Sequence, residues 1–327
     1  MMRVGLLGAS RIAPNAIIEP AAARDDVVIT AVAARDGGRA SDYAARHAIP
    51  VALDSYAALV ARDDVDLVYC ALPPQAHSDV CRAALAAGKM LLVEKPFAAD
   101  MAAAISIVEA ATAAGQPALE AFHYRFHDQF AHAERLVRSD ALGAMIRAEG
   151  VFSTMIPRVA DELRWDAACG GGAMMDLGCY IVHALRTLLG SEPEVRHAEA
   201  RRYRGVDVST AATLSFRDVP ATLYCAMDAP TEARIVLEGT DGTLTLENFV
   251  TPQFGGKLML RTTAGVETVP ASGPSSYSAQ LSHVIDVWAG RAAPITGGAD
   301  AVATMRVIDA CSAATSFSPS STPAGAP

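Results

Sequence analysis

The 327-residue chain is predicted to be an α/β protein: a doubly wound parallel sheet first, then an α+β domain with an antiparallel sheet. Three observations predict it. The chain opens with an apolar strand running into a glycine turn, Val4-Gly5-Leu6-Leu7-Gly8-Ala9-Ser10, which is how a Rossmann dinucleotide-binding unit begins. Short continuous apolar runs then alternate with Ala-rich stretches as far as Phe122, and strands buried on both faces have this pattern. Beyond Glu194 the chain changes to β-type segments separated by turns such as Gly239-Thr240-Asp241-Gly242, the mark of antiparallel pairing.

In order, strands are expected over residues 3–8, 27–34, 66–72, 90–93 and 117–122, with helices over 38–47, 56–62, 76–87 and 100–114 between them. A helix over 126–139, a strand over 144–155, the segment Gly170-Gly171-Gly172 and a long helix over 173–189 follow. Strands then run from 194 to 261, and helices over 280–289 and 299–314 close the fold. The expected domains are residues 1–122, which bind the nucleotide, and 123–316, which bind substrate and form the oligomer. Residues 317–327, rich in Ser, Pro and Ala, are expected to form a flexible tail.

Hydrophobic residues make up 51% of the chain and charged residues 19%, ample for a sizeable core. The net charge of −9 argues against a nucleic-acid partner, which calls for a basic surplus. Absence of any apolar run near the roughly 18–20 residues of a membrane span, and of a signal-peptide layout, leads to an expected cytoplasmic location. The six cysteines are scattered, with no C-x-x-C pair and no ligand spacing, so reduced, buried thiols and no metal are expected.

At the three glycine positions of the G-x-G-x-x-G fingerprint, Gly8-Ala9-Ser10-Arg11-Ile12-Ala13 carries Gly, Ser and Ala. Gly8 allows the tight turn, the small Ser10 lets the backbone approach a pyrophosphate, and Ala13 permits close helix packing. The second strand ends in Ala33-Ala34-Arg35 before Asp36, where an NAD-selective site has an acidic side chain for the ribose. Arg35 is suited to a 2′-phosphate, so NADP is the expected cofactor, with NAD possible if Asp36 reaches the ribose. The alternative is that both are solvated turn residues. After the next central strand, Leu72-Pro73-Pro74 holds backbone against a ligand at the switch point, and His77 either faces the nicotinamide or only begins the following helix. The full set expected at the cofactor is Gly8, Ser10, Arg11, Ile12, Arg35, Leu72, Pro73, His77, Glu94 and Lys95.

Glu94-Lys95-Pro96 ends the apolar run of residues 90–93. A lysine there either stabilises an alkoxide or carries its proton while hydride leaves for a nicotinamide; the alternative is a surface lysine paired with Glu94. On the helix over 173–189, Asp176, Tyr180 and His183 fall at i, i+4 and i+7, one narrow stripe with none of the Lys, Glu or Gln of a solvated face. Gly170 to Gly172 would let backbone approach a ligand closely. A purely structural account makes Tyr180 and His183 satisfied buried polar residues.

With these motifs, and with Glu120-Ala121-Phe122 and Met305-Arg306-Val307-Ile308-Asp309-Ala310, the chain resembles the Gfo/Idh/MocA oxidoreductase family over nearly its whole length. It looks most like the branch of dimeric dihydrodiol dehydrogenases, D-xylose dehydrogenases and glucose-fructose oxidoreductase, which has Tyr in the Asp-x-Gly-x-Tyr motif. The resemblance implies an open, mostly antiparallel second sheet and a homodimer or homotetramer formed through it. It implies Lys95 beside nicotinamide and substrate, Tyr180 as the proton-transfer group and Asp176 orienting the substrate, a sugar, aldose or cyclic diol. Arg125, Trp165 and His183 are expected to bind that substrate. Departures occur at Ser10, in the Leu72 turn, and at His123, where many relatives have Met or another apolar residue. A non-enzymatic NAD(P) sensor, and an imine or double-bond reductase, are the competing readings.

Overall fold

The computed structural model describes residues 1–159 and 162–317, and the chain in it divides into two compact units. The first comprises Met1–Ala131, Thr251–Gln253 and Ser272–Met305; the second comprises His132–Val250, Phe254–Ala271 and the chain from Arg306 onward.

The first unit holds six strands, β1 (Met2–Leu7), β2 (Val27–Ala33), β3 (Val51–Leu53), β4 (Leu67–Cys70), β5 (Met90–Val93) and β6 (Ala118–Glu120). They pair in the order β3-β2-β1-β4-β5-β6, every pair parallel. Each residue of β4, β5 and β6 is buried, as expected for strands with helices on both faces. The short β3 was not expected from the sequence, because three residues carry no periodicity.

The connections are α1 (Glu19–Ala22, entered through a π turn Pro14–Ile18), α2 (Gly37–Arg46), α3 (Tyr56–Val60), α4 (His77–Ala86) and α5 (Met101–Ala114). Asp36, Ser55 and Asp100 cap α2, α3 and α5 by accepting from the backbone N–H of Arg39, Ala58 and Ala103, each cap worth about 1 kcal/mol. After α6 (Asp128–Arg138) and α7 (Cys179–Leu189) comes α8 (Ser276–Trp288). Its Leu281, Val284, Ile285 and Val287 join the core built on Met2, Leu6 and Ile17. The helix expected over 280–289 in the second domain therefore belongs to the first unit, since its apolar stripe is buried there.

The second unit carries nine strands: β7 (Met145–Met155), β8 (Pro193–Tyr203), β9 (Val206–Phe216), β10 (Val219–Ala226), β11 (Asp228–Gly239), β12 (Gly242–Glu247), β13 (Lys257–Thr262), β14 (Gly265–Pro270) and β15 (Thr315–Phe317). Their order is β14-β13-β12-β11-β7-β10-β9-β8-β15. The β7–β10 and β8–β15 pairs are parallel and the others antiparallel, so the sheet is mostly antiparallel. Phe317, expected to open the tail, ends β15; the rest of that stretch lies outside the described residues. Helix α7 packs on β7 at Gly150, where a side chain would overlap Ile181. The last helix is α9 (Ala299–Ala314). Among the described residues no helix is long and apolar enough to cross a membrane.

Candidate active site

In the first unit the carboxyl ends of the strands are locked together beyond their last paired residues. Gly8 N–H donates to Ala33 O at 2.9 Å, Ala71 N–H to Leu7 O at 3.0 Å, Glu94 N–H to Cys70 O at 2.9 Å, and Ala121 N–H to Val93 O at 2.8 Å. Strand order reverses direction between β1 and β4, the switch point at which open α/β sheets bind ligands. Gly8 lies there with φ +101, and a Cβ on it would come within 3.0 Å of Ala71 O and 3.1 Å of Leu72 Cδ2. Only glycine fits that turn.

Ser10 is occupied within the fold: its Oγ accepts from Ala13 N–H at 3.3 Å and its carbonyl from Tyr43 OH at 2.9 Å. Arg11 is exposed and Ile12 half-buried ahead of the helix that Pro14 opens. Arg39 Nη2 donates to Ala9 O at 2.9 Å and so ties the start of α2 to the turn after β1. Ala33 and Ala34 are buried, while Arg35 is exposed at the end of β2. Asp36 is spent on its cap, Oδ1 accepting from Arg39 N–H at 2.6 Å, which disfavours a swing to a ribose. A glycine turn feeding a helix N-terminus, a buried apolar strand end and an exposed arginine fit a dinucleotide with a 2′-phosphate.

His77 does not present its ring to a ligand. It is fully buried, its Nε2 2.8 Å from Leu72 O and its Nδ1 3.1 Å from Phe97 O, and burial pushes its pKa down. The ring is packed between the Leu72 turn and the chain after Lys95-Pro96, its one N–H in the neutral form donating to one of these two carbonyls. Two residues that the sequence reading did not assign brace the same loop: Tyr69 OH donates to Glu94 Oε1 at 2.5 Å, and the buried Glu120 accepts from Phe97 N–H at 2.9 Å. Half-buried Lys95, joined to Pro96 by a cis peptide, thus stands on a loop held from three sides. The charge of Lys95 reaches His123 and adds to burial in pushing that ring down to about 3, and Glu94 adds to burial in raising Tyr277 on α8. Arg125, in the short turn after His123, extends its guanidinium over Phe130 at 5.5 Å.

In the second unit, the helix expected to run unbroken over 173–189 opens with a π turn, Met174–Gly178, before α7. Such turns commonly mark functional sites. Asp207, from β9, anchors it: Oδ2 accepts from Met174 N–H at 2.8 Å and from Thr210 Oγ1 at 2.6 Å. Two of the three glycines before the turn approach protein rather than leave room for a ligand: a Cβ on Gly171 would strike the Arg164 and Leu163 carbonyls, and one on Gly172 the Asp207 carboxylate.

Asp176 Oδ2 accepts from Arg164 Nε at 2.8 Å, and Arg164 also pairs with Glu162 at 3.3 Å. Arg164 is held above its ordinary pKa by Asp176 first, against burial, with Glu162 and Tyr180 adding to the rise. Tyr180, buried, meets Phe152 of β7 edge-on at 5.5 Å. His183 is 1% exposed, so it is packed rather than presented on a wet face. Trp165 lies under Arg158 at 4.8 Å and edge-on to Tyr203 at 6.2 Å. Arg164 and Asp207 were missed because neither belongs to a spaced motif. Tertiary pairing alone brings them to the helix.

Comparison with known proteins matches both units. The model of the oxidoreductase family with an NAD-binding Rossmann fold, GFO_IDH_MocA, covers residues 2–122, and that of the GFO/IDH/MocA C-terminal domain covers residues 130–245. D-xylose 1-dehydrogenase (NADP(+)) 2 of Haloferax volcanii is 33% identical over 314 residues, 94% of this chain and 96% of the relative. The dTDP-3,4-didehydro-2,6-dideoxy-alpha-D-glucose 3-reductase of Streptomyces violaceoruber is 34% identical over 264 residues, 80% of this chain and 77% of the relative. Among solved structures, KijD10, a 3-ketoreductase from Actinomadura kijaniata in complex with NADP and TDP-benzene, superimposes with a TM-score of 0.89 at 26% identity, covering 96% of this chain and 98% of that one.

Proposed function

Since the chain belongs to the Gfo/Idh/MocA oxidoreductase family, we propose that it is an NADP-dependent dehydrogenase or reductase acting at a secondary alcohol of a sugar, aldose or cyclic diol. The observation that carries this reading is Lys95, braced at the carboxyl end of β5 beside the switch point. NADP as cofactor is supported by exposed Arg35 after a buried Ala33-Ala34, and by the NADP named for both the xylose dehydrogenase and the ketoreductase.

In this reading the turn from Gly8 to Ile12, Arg35, the Leu72-Pro73 turn and the backbone of Glu94-Lys95 hold the dinucleotide, while His77 holds the loops that carry them. The nicotinamide, when bound, supplies the hydride acceptor or donor. Lys95 lowers the cost of negative charge on the reacting oxygen, Tyr180 takes or returns its proton, and Asp176, fixed by Arg164, orients a neighbouring hydroxyl. Arg125, Trp165 and His183 complete the proposed substrate contacts. Assembly as a homodimer or homotetramer through the nine-stranded sheet is part of the proposal, supported by exposed Ile146, Met155, Tyr224 and Val266 on its strands.

The test is NADPH formation at 340 nm from NADP⁺ with a panel of aldoses, inositols and trans-dihydrodiols. Lys95→Ala should lower kcat about a hundred- to a thousandfold, the loss typical of removing a transition-state donor, with NADPH affinity within about twofold of wild type. Tyr180→Phe should lower kcat more than it raises KM. Unchanged kcat in Lys95→Ala would defeat the mechanism.

A further inference from the structure

We propose that Arg158 and Arg204, held on the ring of Tyr203 at one end of the nine-stranded sheet, form a binding site for a phosphate group, so that the substrate is a sugar carrying a phosphate ester or a diphosphate. The proposal rests on the reading of Asp176 and Tyr180 as the site of the reacting hydroxyl, and it names the substrate class of that site.

The end of β8 supplies Arg201 and Tyr203, the chain beyond β7 supplies Arg158, and the first residue of β11 is Asp228. Arg158 Cζ lies 4.5 Å from the ring centroid of Tyr203 and 4.8 Å from that of Trp165, and these two rings meet edge-on at 6.2 Å. Arg204 Cζ lies 5.3 Å from the same Tyr203 ring. Two exposed guanidinium groups thus share one aromatic side chain. Contact with an aromatic face steadies such a group but occupies none of its five N–H donors with an oxygen acceptor.

Those donors are unspent. Asp228 is taken by Arg201, which donates from Nη1 to Oδ2 at 2.8 Å and from Nη2 to Oδ1 at 2.6 Å. Arg158 Nη2 stands 3.8 Å from Asp228 Oδ2, too far for a hydrogen bond. Among the described residues no carboxylate pairs with Arg204. Three arginines therefore gather about one carboxylate in a chain whose net charge is −9. Like charges held this close favour an anion between them, and guanidinium groups meet phosphate oxygens with two N–H groups at once.

The backbone of Arg204 supports the same assignment. Arg204 and Gly205 form the two-residue turn between β8 and β9, with Tyr203 paired to Val206, and their φ angles are +49 and +89. Asn, Asp or Gly ordinarily takes the first position of such a turn. An arginine in that conformation points to a use for its side chain. The cluster adjoins the reacting end, since Trp165 is the chain neighbour of Arg164, whose Nε donates to Asp176 Oδ2 at 2.8 Å. In the proposal, the hydroxyl oriented by Asp176 and the phosphate on Arg158 and Arg204 belong to one substrate.

Inorganic pyrophosphate is the probe, titrated by calorimetry into the full-length protein with NADPH present to fill the dinucleotide site. Arg158→Ala should weaken its binding about tenfold or more, and Arg158→Lys, which keeps the charge without paired donors, should stay about fivefold weaker than wild type. Arg204→Gly should weaken it about threefold while leaving Tm within about 2 °C, because glycine accepts positive φ without strain. A purely structural Arg204 would move Tm and leave binding alone. Should Arg158→Ala fail to fold, Arg204→Gly decides. Displacement of the probe then separates the two sources: glucose 6-phosphate competing at least as well as UDP-glucose names a phosphate ester, and the reverse order names a diphosphate. Pyrophosphate bound equally by wild type and the folded variants, or displaced by neither sugar, overturns the inference. A protein that binds the probe through these arginines yet oxidises no sugar, free or phosphorylated, would sink the dehydrogenase reading and leave the phosphate site standing.

Discussion

Gly150→Ala tests whether the second unit positions its helix as rigidly as the packing implies, although Gly150 carries no functional group. A Cβ there overlaps Ile181 Cγ2 and comes to 3.2 Å of Ile235 Cδ1. Carbon atoms settle at about 3.5–4.0 Å, so α7 must move off β7 by more than about 1 Å or Ile181 must leave its rotamer. Either costs about 1–3 kcal/mol, the usual range for overpacking a close-packed core. Tyr180, the proposed proton-transfer group, adjoins Ile181 on the same turn, and misplacing such a group by about 1 Å costs about a hundredfold in rate. The expected result is a fall in kcat of that order, a lower Tm and unchanged NADPH affinity, read by steady-state kinetics, calorimetry and fluorescence titration. Ile181→Ala removes Cγ2 and leaves room but itself costs about 2–5 kcal/mol at a fully buried site, so the double variant should regain much of kcat and lose less stability than the two single losses summed, a coupling of about 1 kcal/mol or more. If Gly150→Ala retains wild-type kcat and Tm, or if the two substitutions simply add, the geometric reasoning fails.

Arg35→Ala should raise KM for NADP about tenfold and leave KM for NAD within about twofold, because an exposed charge-assisted contact to phosphate is worth about 1.5 kcal/mol; equal loss with both cofactors counts against the assignment. Asp207→Ala removes the acceptor for Met174 N–H and Thr210 Oγ1, two bonds to a charged group at about 1.5 kcal/mol each. It should lower Tm by about 6–12 °C and reduce kcat through a loosened π turn, whereas Asp207→Asn, whose single amide oxygen can take the Oδ2 place and accept both bonds without the charge, should lose about half as much stability. Intact melting in Asp207→Ala would show that the turn does not depend on this anchor.

Much of the first unit was legible in the chain, and for a physical reason. Parallel strands buried on both faces must be continuous apolar runs, and the turn after β1 requires a residue that tolerates φ +101, so Gly8 and the runs ending at Cys70 and Val93 announce themselves locally. The Lys95 and Asp176–Tyr180 motifs were visible for a similar reason, as short stretches whose chemistry lies in adjacent positions or within one helical turn. Short strands such as β3 and the break in the helix at Met174 were not, since neither alters the apolar period enough to be seen.

By itself, then, the sequence determined the fold class and the nucleotide-binding beginning and displayed the motifs proposed to react, because each depends on residues close together in the chain. The tertiary structure decided what those motifs touch. It packed His77 between two loops, spent Asp36 on a helix cap, and filled the space beside Gly171 and Gly172 with Arg164 and Asp207. It also brought Ser276, 153 residues along the chain, to His123. Such pairings are set by which strand ends adjoin and which helix packs over them, a long-range outcome of burying the core that no local spacing encodes.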